Sequence, residues 1–133
     1  MRRVYFFLVL AVFINLGRAS VSFSADDLSG KWSMNANGYK FALTIQQSGS
    51  TFFKGTMEPI DHEGSVSRIE GQILPGDEVR GLTPRVLFRR METNQEFQGF
   101  VFVGGEDRKH MAGTFGYLED PKDHEAGWFA ERE

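Results

Sequence analysis

The chain has 133 residues, a length that fits one domain. Its first 25 residues contain three arginines and no acidic residue, so the remaining 108 residues carry 12 Lys+Arg against 18 Asp+Glu, a formal charge of −6. This acidic balance argues against a nucleic-acid-binding protein, which needs a basic face. The sequence has no cysteine, which excludes disulfides, thiolate metal ligands and a cysteine nucleophile.

The N-terminus has the organisation of a secretory signal peptide. Met1-Arg2-Arg3 is a short positive segment, and residues 4–16 are apolar except for Asn15. That run is shorter than the roughly 20 residues of a membrane-spanning helix, and small residues between 19 and 25 provide cleavage sites. We therefore predict a signal peptide over residues 1–25, a secreted or periplasmic protein and a mature domain over residues 26–133. The alternative is an uncleaved anchor.

The rest of the chain alternates apolar and polar residues with a period of two. In residues 39–47, for example, Tyr39, Phe41, Leu43 and Ile45 alternate with mostly polar residues, a pattern typical of a strand with one buried face. Turn residues such as Gly and Asn separate the runs. In chain order, the predicted strands cover residues 28–34, 39–47, 51–57, 65–74, 84–91, 95–103, 110–118 and 127–132.

Eight short strands joined by short turns predict an all-β meander. Closure into an eight-stranded antiparallel up-and-down β-barrel would leave no unpaired sheet edge. Glycine lies inside four of the predicted strands, at Gly55, Gly71, Gly99 and Gly113, where it allows strands to bend around a small barrel. The alternative is an open sandwich with scattered bulges. Short strands and a polar outward face argue against insertion into an outer membrane.

Three short motifs of the predicted barrel resemble the avidins, members of the calycin group of barrels that also includes the lipocalins. They are Leu28-Ser29-Gly30-Lys31-Trp32, Phe53-Lys54-Gly55-Thr56 and Trp128-Phe129-Ala130-Glu131-Arg132. Their order and spacing are similar to those of avidins over nearly the whole mature chain. The resemblance implies that Trp32 closes one end of the barrel and that Arg132 stacks across its ring, as a cation–π contact.

The positions that bind biotin in avidins differ in this chain. Two polar side chains that bond the ureido oxygen in that family correspond here to Met34 and Met57, which donate no hydrogen bond. Trp128 keeps its avidin counterpart, which in the family reaches into a neighbouring subunit's site. The resemblance therefore implies weak or no biotin binding.

Strand alternation directs a set of apolar side chains into the barrel, where methionines would make the interior adaptable. We predict that the barrel captures a small apolar or amphipathic molecule at its open end, without a cofactor. The alternative is a packed interior, since an eight-stranded barrel either fills with side chains or holds one small ligand. The residues expected to contact the ligand are Met34, Met57, Phe97, Phe115 and Trp128.

The sixth predicted strand is apolar on both faces. Phe100 and Phe102 project outward and form an exposed apolar patch unless something covers them. A second copy of the chain is the predicted cover, and the alternative is a monomer covered by its own N-terminal segment or a loop. Four arginines, Arg80, Arg85, Arg89 and Arg90, lie around the fifth strand, where we expect a solvated face paired with nearby carboxylates or an acidic partner.

The tripeptide Asp-His-Glu occurs twice, each time in a loop. The candidate residues are Asp61, His62, Glu63, Asp123, His124 and Glu125. Carboxylate and imidazole groups suit a divalent metal or acid–base catalysis. No nucleophile or HExxH pattern accompanies them, so solvated acidic loops are expected, with no metal and no catalytic residue. The alternative function is a protein-binding barrel, such as a periplasmic protease inhibitor.

Overall fold

The computed structural model describes residues 27–103, 109–118 and 126–133. Within them, eight antiparallel strands close into a barrel in the order of the sequence. The strands are β1 (Gly30–Ala36), β2 (Tyr39–Ser48), β3 (Phe52–Pro59), β4 (Ser67–Leu74), β5 (Arg85–Arg90), β6 (Gln95–Val103), β7 (Lys109–Tyr117) and β8 (Ala126–Arg132). The predicted all-β, up-and-down barrel is confirmed. The proposed signal peptide, residues 1–25, lies outside the described residues.

The strand bounds differ from the predicted ones where contacts between distant parts of the chain decide them. β1 begins at Gly30 rather than at residue 28, because Leu28 belongs to a segment that folds over the end of the barrel. The Leu28 amide donates to Gln47 Oε1 at 2.8 Å, and the Leu28 carbonyl accepts from Trp32 Nε1 at 2.9 Å. β3 continues to Pro59, which pairs with Phe41 of β2.

The core follows from the alternation along each strand. Side chains from every strand meet inside the barrel, and the aromatic ones fill its centre. The rings of Phe88 and Phe97 stack with centroids 4.7 Å apart, and Phe97 stacks on Phe115 at 4.9 Å. Trp128 packs edge-on against Phe88 and Phe97, at 5.4 and 6.0 Å. These contacts bury large apolar rings in favourable offset and edge-to-face geometries.

Glycine permits close strand contact where β6 and β7 pair. Gly99 lies directly opposite Gly113. A Cβ added at Gly113 would collide with the carbonyl oxygen of Gln98 and would lie 2.5 Å from Gly99 Cα. Because both obstacles are backbone atoms, a larger residue at Gly113 would force the two strands apart.

The two ends of the barrel differ in packing. At one end, Trp32 is fully buried beneath the segment that precedes β1. Arg132 lies opposite Trp32 in the β1–β8 pairing, and its guanidinium donates to the carbonyls of Ser29 and Asp27 at 2.7 and 3.1 Å. The predicted stacking of Arg132 on the indole stays a prediction.

In the part of the chain that is described, no helix is long and apolar enough to cross a membrane.

Candidate functional site

A cavity of about 190 Å³ lies at the opposite end of the barrel, where the β1–β2, β3–β4 and β5–β6 connections meet. Most of its lining is apolar, with a few polar groups among the rings. The lining residues are Ala36, Tyr39, Phe41, Met57, His62, Arg90, Gln95, Phe97 and Phe115. A second cavity of about 370 Å³ shares Tyr39, Gln95 and Phe115 with it and extends toward Tyr117.

Three of the predicted ligand contacts meet in this cavity. Met57, Phe97 and Phe115 all line it. Trp128 instead turns toward the backbone between β6 and β7, where its Nε1 donates to the carbonyls of Gln98 and Thr114 at 3.1 and 3.2 Å. Met34 is buried in the core beside Phe41 on β2. Neither Met34 nor Trp128 contributes to the lining of this cavity.

Arg90 lines the cavity from β5, whereas the sequence predicts it on a solvated basic face. On β5, Val86 and Phe88 are buried, and Arg90 follows them on the same inward face. Arg85 and Arg89 lie on the opposite face and are exposed. The expectation of one solvated basic face is therefore wrong for Arg90, because neighbouring residues of a strand point to opposite sides. Extending the alternation of β5 from the buried Val86 and Phe88 identifies Arg90 as an inward-facing residue.

Three neutral groups hold the guanidinium of Arg90. Its Nε donates to Ser67 Oγ at 2.8 Å, and its Nη1 donates to Gln95 Oε1 at 3.1 Å. Its central carbon lies 5.4 Å from the centroid of the Phe41 ring, a cation–π contact. Burial lowers the pKa of Arg90 below its ordinary value, against the opposing effect of the Glu92 charge, yet the guanidinium remains charged near neutral pH.

The partner amide of Arg90 is itself held in place. Gln95 Oε1 also accepts from the Thr93 hydroxyl at 3.2 Å, and Gln95 Nε2 lies 3.5 Å from the Tyr117 hydroxyl. Because both ends of the amide have partners, its oxygen is fixed toward the guanidinium. The orientation of Arg90 is thus determined by the surrounding residues.

His62 lies at the edge of the same cavity. Its ring packs near Tyr39 and edge-on to Phe41, with centroids 5.1 and 4.8 Å apart. Its Nδ1 is 2.9 Å from Asp61 Oδ1, which also accepts from the Lys40 amide at 3.0 Å. The hydrogen bond from His62, followed by that from Lys40, holds the pKa of Asp61 below its ordinary value of 3.8.

The structure describes the first of the two Asp-His-Glu loops. Asp61 and His62 contact each other, and Glu63 is exposed. Asp123, His124 and Glu125 lie outside the described residues. Over residues 27–103, 109–118 and 126–133, no three His, Asp or Glu side chains come together as metal ligands would.

The carboxylate that follows Arg90 along the chain is engaged elsewhere. Glu92 lies 3.2 Å from Arg68 Nε and also accepts from the Arg68 amide at 2.9 Å. In the described part of the barrel, no carboxylate oxygen lies within 4.0 Å of the Arg90 guanidinium. The cavity therefore combines apolar walls with a cation whose direct partners there are neutral.

A further cavity, about 400 Å³, is a groove on the outer wall of the barrel. Its lining includes Glu70, Arg89 and Glu96, which are consecutive cross-strand neighbours on β4, β5 and β6. Opposite charges side by side on an outward face stabilise a sheet surface. This charged, open groove is a poorer candidate than the cavity inside the barrel.

The outer wall also carries exposed aromatic side chains. Phe100 and Phe102 are 50% and 43% exposed, and Phe129 is 59% exposed. Phe100 and Phe129 both pair with Ala112, so the three residues form one row across β6, β7 and β8. The sequence predicts Phe100 and Phe102 on this face; Phe129 was not predicted there, although alternation on the last strand directs it outward.

Comparison of the chain with protein-family models, curated proteins and solved structures found no match.

Proposed function

We propose that this protein is an exported barrel that binds a small apolar or amphipathic molecule in the cavity at its open end. The observation that carries the proposal is the convergence of Met57, Phe97 and Phe115 on that cavity, beside two polar groups, His62 and Arg90. Small-molecule sites are typically concave and mostly apolar, with a few placed polar groups that orient the ligand. The proposal is of binding without catalysis.

The size of the cavity fits a small ligand. An apolar cavity of about 150 Å³ accepts benzene, so a cavity of about 190 Å³ is large enough for a short aliphatic or single-ring molecule. The adjoining 370 Å³ cavity provides room for a longer ligand to extend toward Tyr117. Met57 can adjust its flexible side chain to ligands of different shape.

Methyl NMR on protein labelled at its methionines tests the proposal. Titration with hexan-1-ol should move the Met57 methyl resonance, because Met57 lines the cavity. The Met111 methyl should stay in place, because Met111 is fully buried on β7 and contributes nothing to the cavity lining. A titration that leaves Met57 unmoved, or that moves only Met91 beside the outer groove, would overturn the proposal.

Export is proposed from the N-terminal pattern of charge, apolar residues and small residues. N-terminal sequencing of protein recovered from the envelope or culture medium of its own cells tests it. The mature chain should begin near Ala25 or Asp26. Recovery of the intact chain from the cytoplasm would contradict export.

We also propose that a second copy of the chain covers the row formed by Phe100, Ala112 and Phe129. The row is apolar and spans three neighbouring strands, and Phe102 with its stacked His110, ring centroids 5.6 Å apart, extends it. Contiguous exposed apolar surface of this kind marks association sites.

A further inference from the structure

We infer that the molecule bound in the open-end cavity carries a carboxylate, and that Arg90 binds it. This inference rests on the proposed function and narrows it from any small apolar or amphipathic molecule to an amphipathic acid. Three features support it: the partners of Arg90, the geometry of its guanidinium and the size of the cavity.

No carboxylate forms a direct ion pair with Arg90 among the described residues, and the charge of Glu92 acts on it from beyond 4.0 Å. Ser67 and Gln95, which accept from its Nε and Nη1, are both neutral. Among the described residues, Nη2 has no hydrogen-bond acceptor. Glu92 pairs with Arg68, and the Asp61 carboxylate accepts from His62 and Lys40. A partly buried cation without an anionic partner is unfavourable, so an anionic ligand would gain from binding there.

The surrounding residues also fix the guanidinium in an orientation that suits an anion. The hydroxyl of Ser67, itself buried, fixes one side of the group, while Gln95 fixes another and the Phe41 ring supports its face. Arg90 lines the cavity, and among the described residues Nη2 and the second N–H of Nη1 have no acceptor. Donors on these two nitrogens match the two oxygens of a carboxylate, which guanidinium groups bind through paired hydrogen bonds.

The volume of the cavity limits the length of the apolar tail attached to the carboxylate. With about 190 Å³ beside Arg90, and about 150 Å³ sufficient for benzene, a tail of five or so carbon atoms fits. Hexanoate and hexan-1-ol are therefore a matched pair of probes. They share the same tail length and differ in whether the head is charged.

The experiment compares these two probes by calorimetry and by the Met57 methyl shift. We expect the wild-type protein to bind hexanoate about tenfold to a hundredfold more tightly than hexan-1-ol, the usual worth of a hydrogen-bonded charge. Arg90→Gln should remove that preference, because the amide carries no charge to pair with the carboxylate. Arg89→Gln makes the same change on the outward face of β5 and should keep the preference.

The outcomes separate the inference from the proposed function. Equal affinities in the wild type, or a preference that survives Arg90→Gln, would overturn the inference and leave binding in the cavity intact. If neither probe moves Met57, the proposed function fails as well. Should Arg90→Gln unfold, Arg90→Lys replaces it: it keeps the charge but loses the planar edge. An undiminished preference in Arg90→Lys would overturn the paired geometry, and a reduced one supports it.

Discussion

Asp61 joins the β3–β4 connection to the start of β2. Its carboxylate accepts from the Lys40 amide and from His62, and these bonds keep its pKa below the ordinary value of 3.8. A carboxylate with a lowered folded-state pKa stabilises the fold above its unfolded pKa. That stabilisation disappears as the pH falls through the folded-state value.

Asp61→Asn should therefore lower the melting temperature at pH 7, because the amide cannot carry the negative charge that these donors stabilise. The difference from the wild type should shrink as the pH falls below 3.8. Thermal melts followed by circular dichroism between neutral and acidic pH would measure it. Glu63→Gln, an exposed change in the same loop, serves as the control. A difference that stays constant into acid would contradict this assignment.

Phe97 contributes both to stability and to the proposed site. It is fully buried, stacks on Phe88 and Phe115, and lines the open-end cavity. We expect Phe97→Ala to lower the free energy of unfolding by about 3–5 kcal/mol. Phe52→Ala, at a position 62% exposed, should change it by about 0.5 kcal/mol or less. Urea denaturation compares the two, and equal losses would show that Phe97 is not a core residue.

At the scale of the strands, β6 and β7 depend on glycine at their contact. Gly113→Ala should destabilise the barrel by about 1–3 kcal/mol, since its new Cβ meets backbone atoms of Gln98 and Gly99. Gly127→Ala on β8 is the matched control, because its Cβ would lie 3.9 Å from the Gly113 carbonyl oxygen, an ordinary contact. Urea denaturation measures both variants. Similar stabilities for the two would refute the close-contact argument.

The alternation of apolar and polar residues predicted which segments form strands better than it predicted where those strands end. Tyr39, Phe41, Leu43 and Ile45 indicated β2 because half-buried strands alternate. The end of β3 at Pro59 depends on its pairing with Phe41, a contact distant in sequence. Strand existence therefore follows from local pattern, whereas strand ends depend on which neighbour the fold supplies.

The difference between local pattern and contacts supplied by the fold also explains which residues of the candidate site could be predicted. Met57, Phe97 and Phe115 could be expected to meet, because inward parity in a closed barrel brings them together. Trp128 lies outside the cavity lining because its indole bonds the backbone carbonyls of Gln98 and Thr114, which parity alone does not predict. Arg90 went unrecognised because it adjoins Arg89 in sequence, although strand geometry directs the two to opposite faces of the barrel wall.

For the molecule as a whole, the apolar row on β6, β7 and β8 predicts self-association. Native mass spectrometry of the mature protein should show an oligomer at micromolar concentration. Replacing Phe100 and Phe129 together by serine should release monomers, because it removes two exposed rings from one face. Phe52→Ser removes an equally exposed ring elsewhere on the wall and should leave the oligomer intact. A wild-type monomer, or an oligomer that survives the double change, would contradict a contact through this row. Because the row lies on the outer wall and the cavity opens at one end, the monomeric variant should still bind hexan-1-ol.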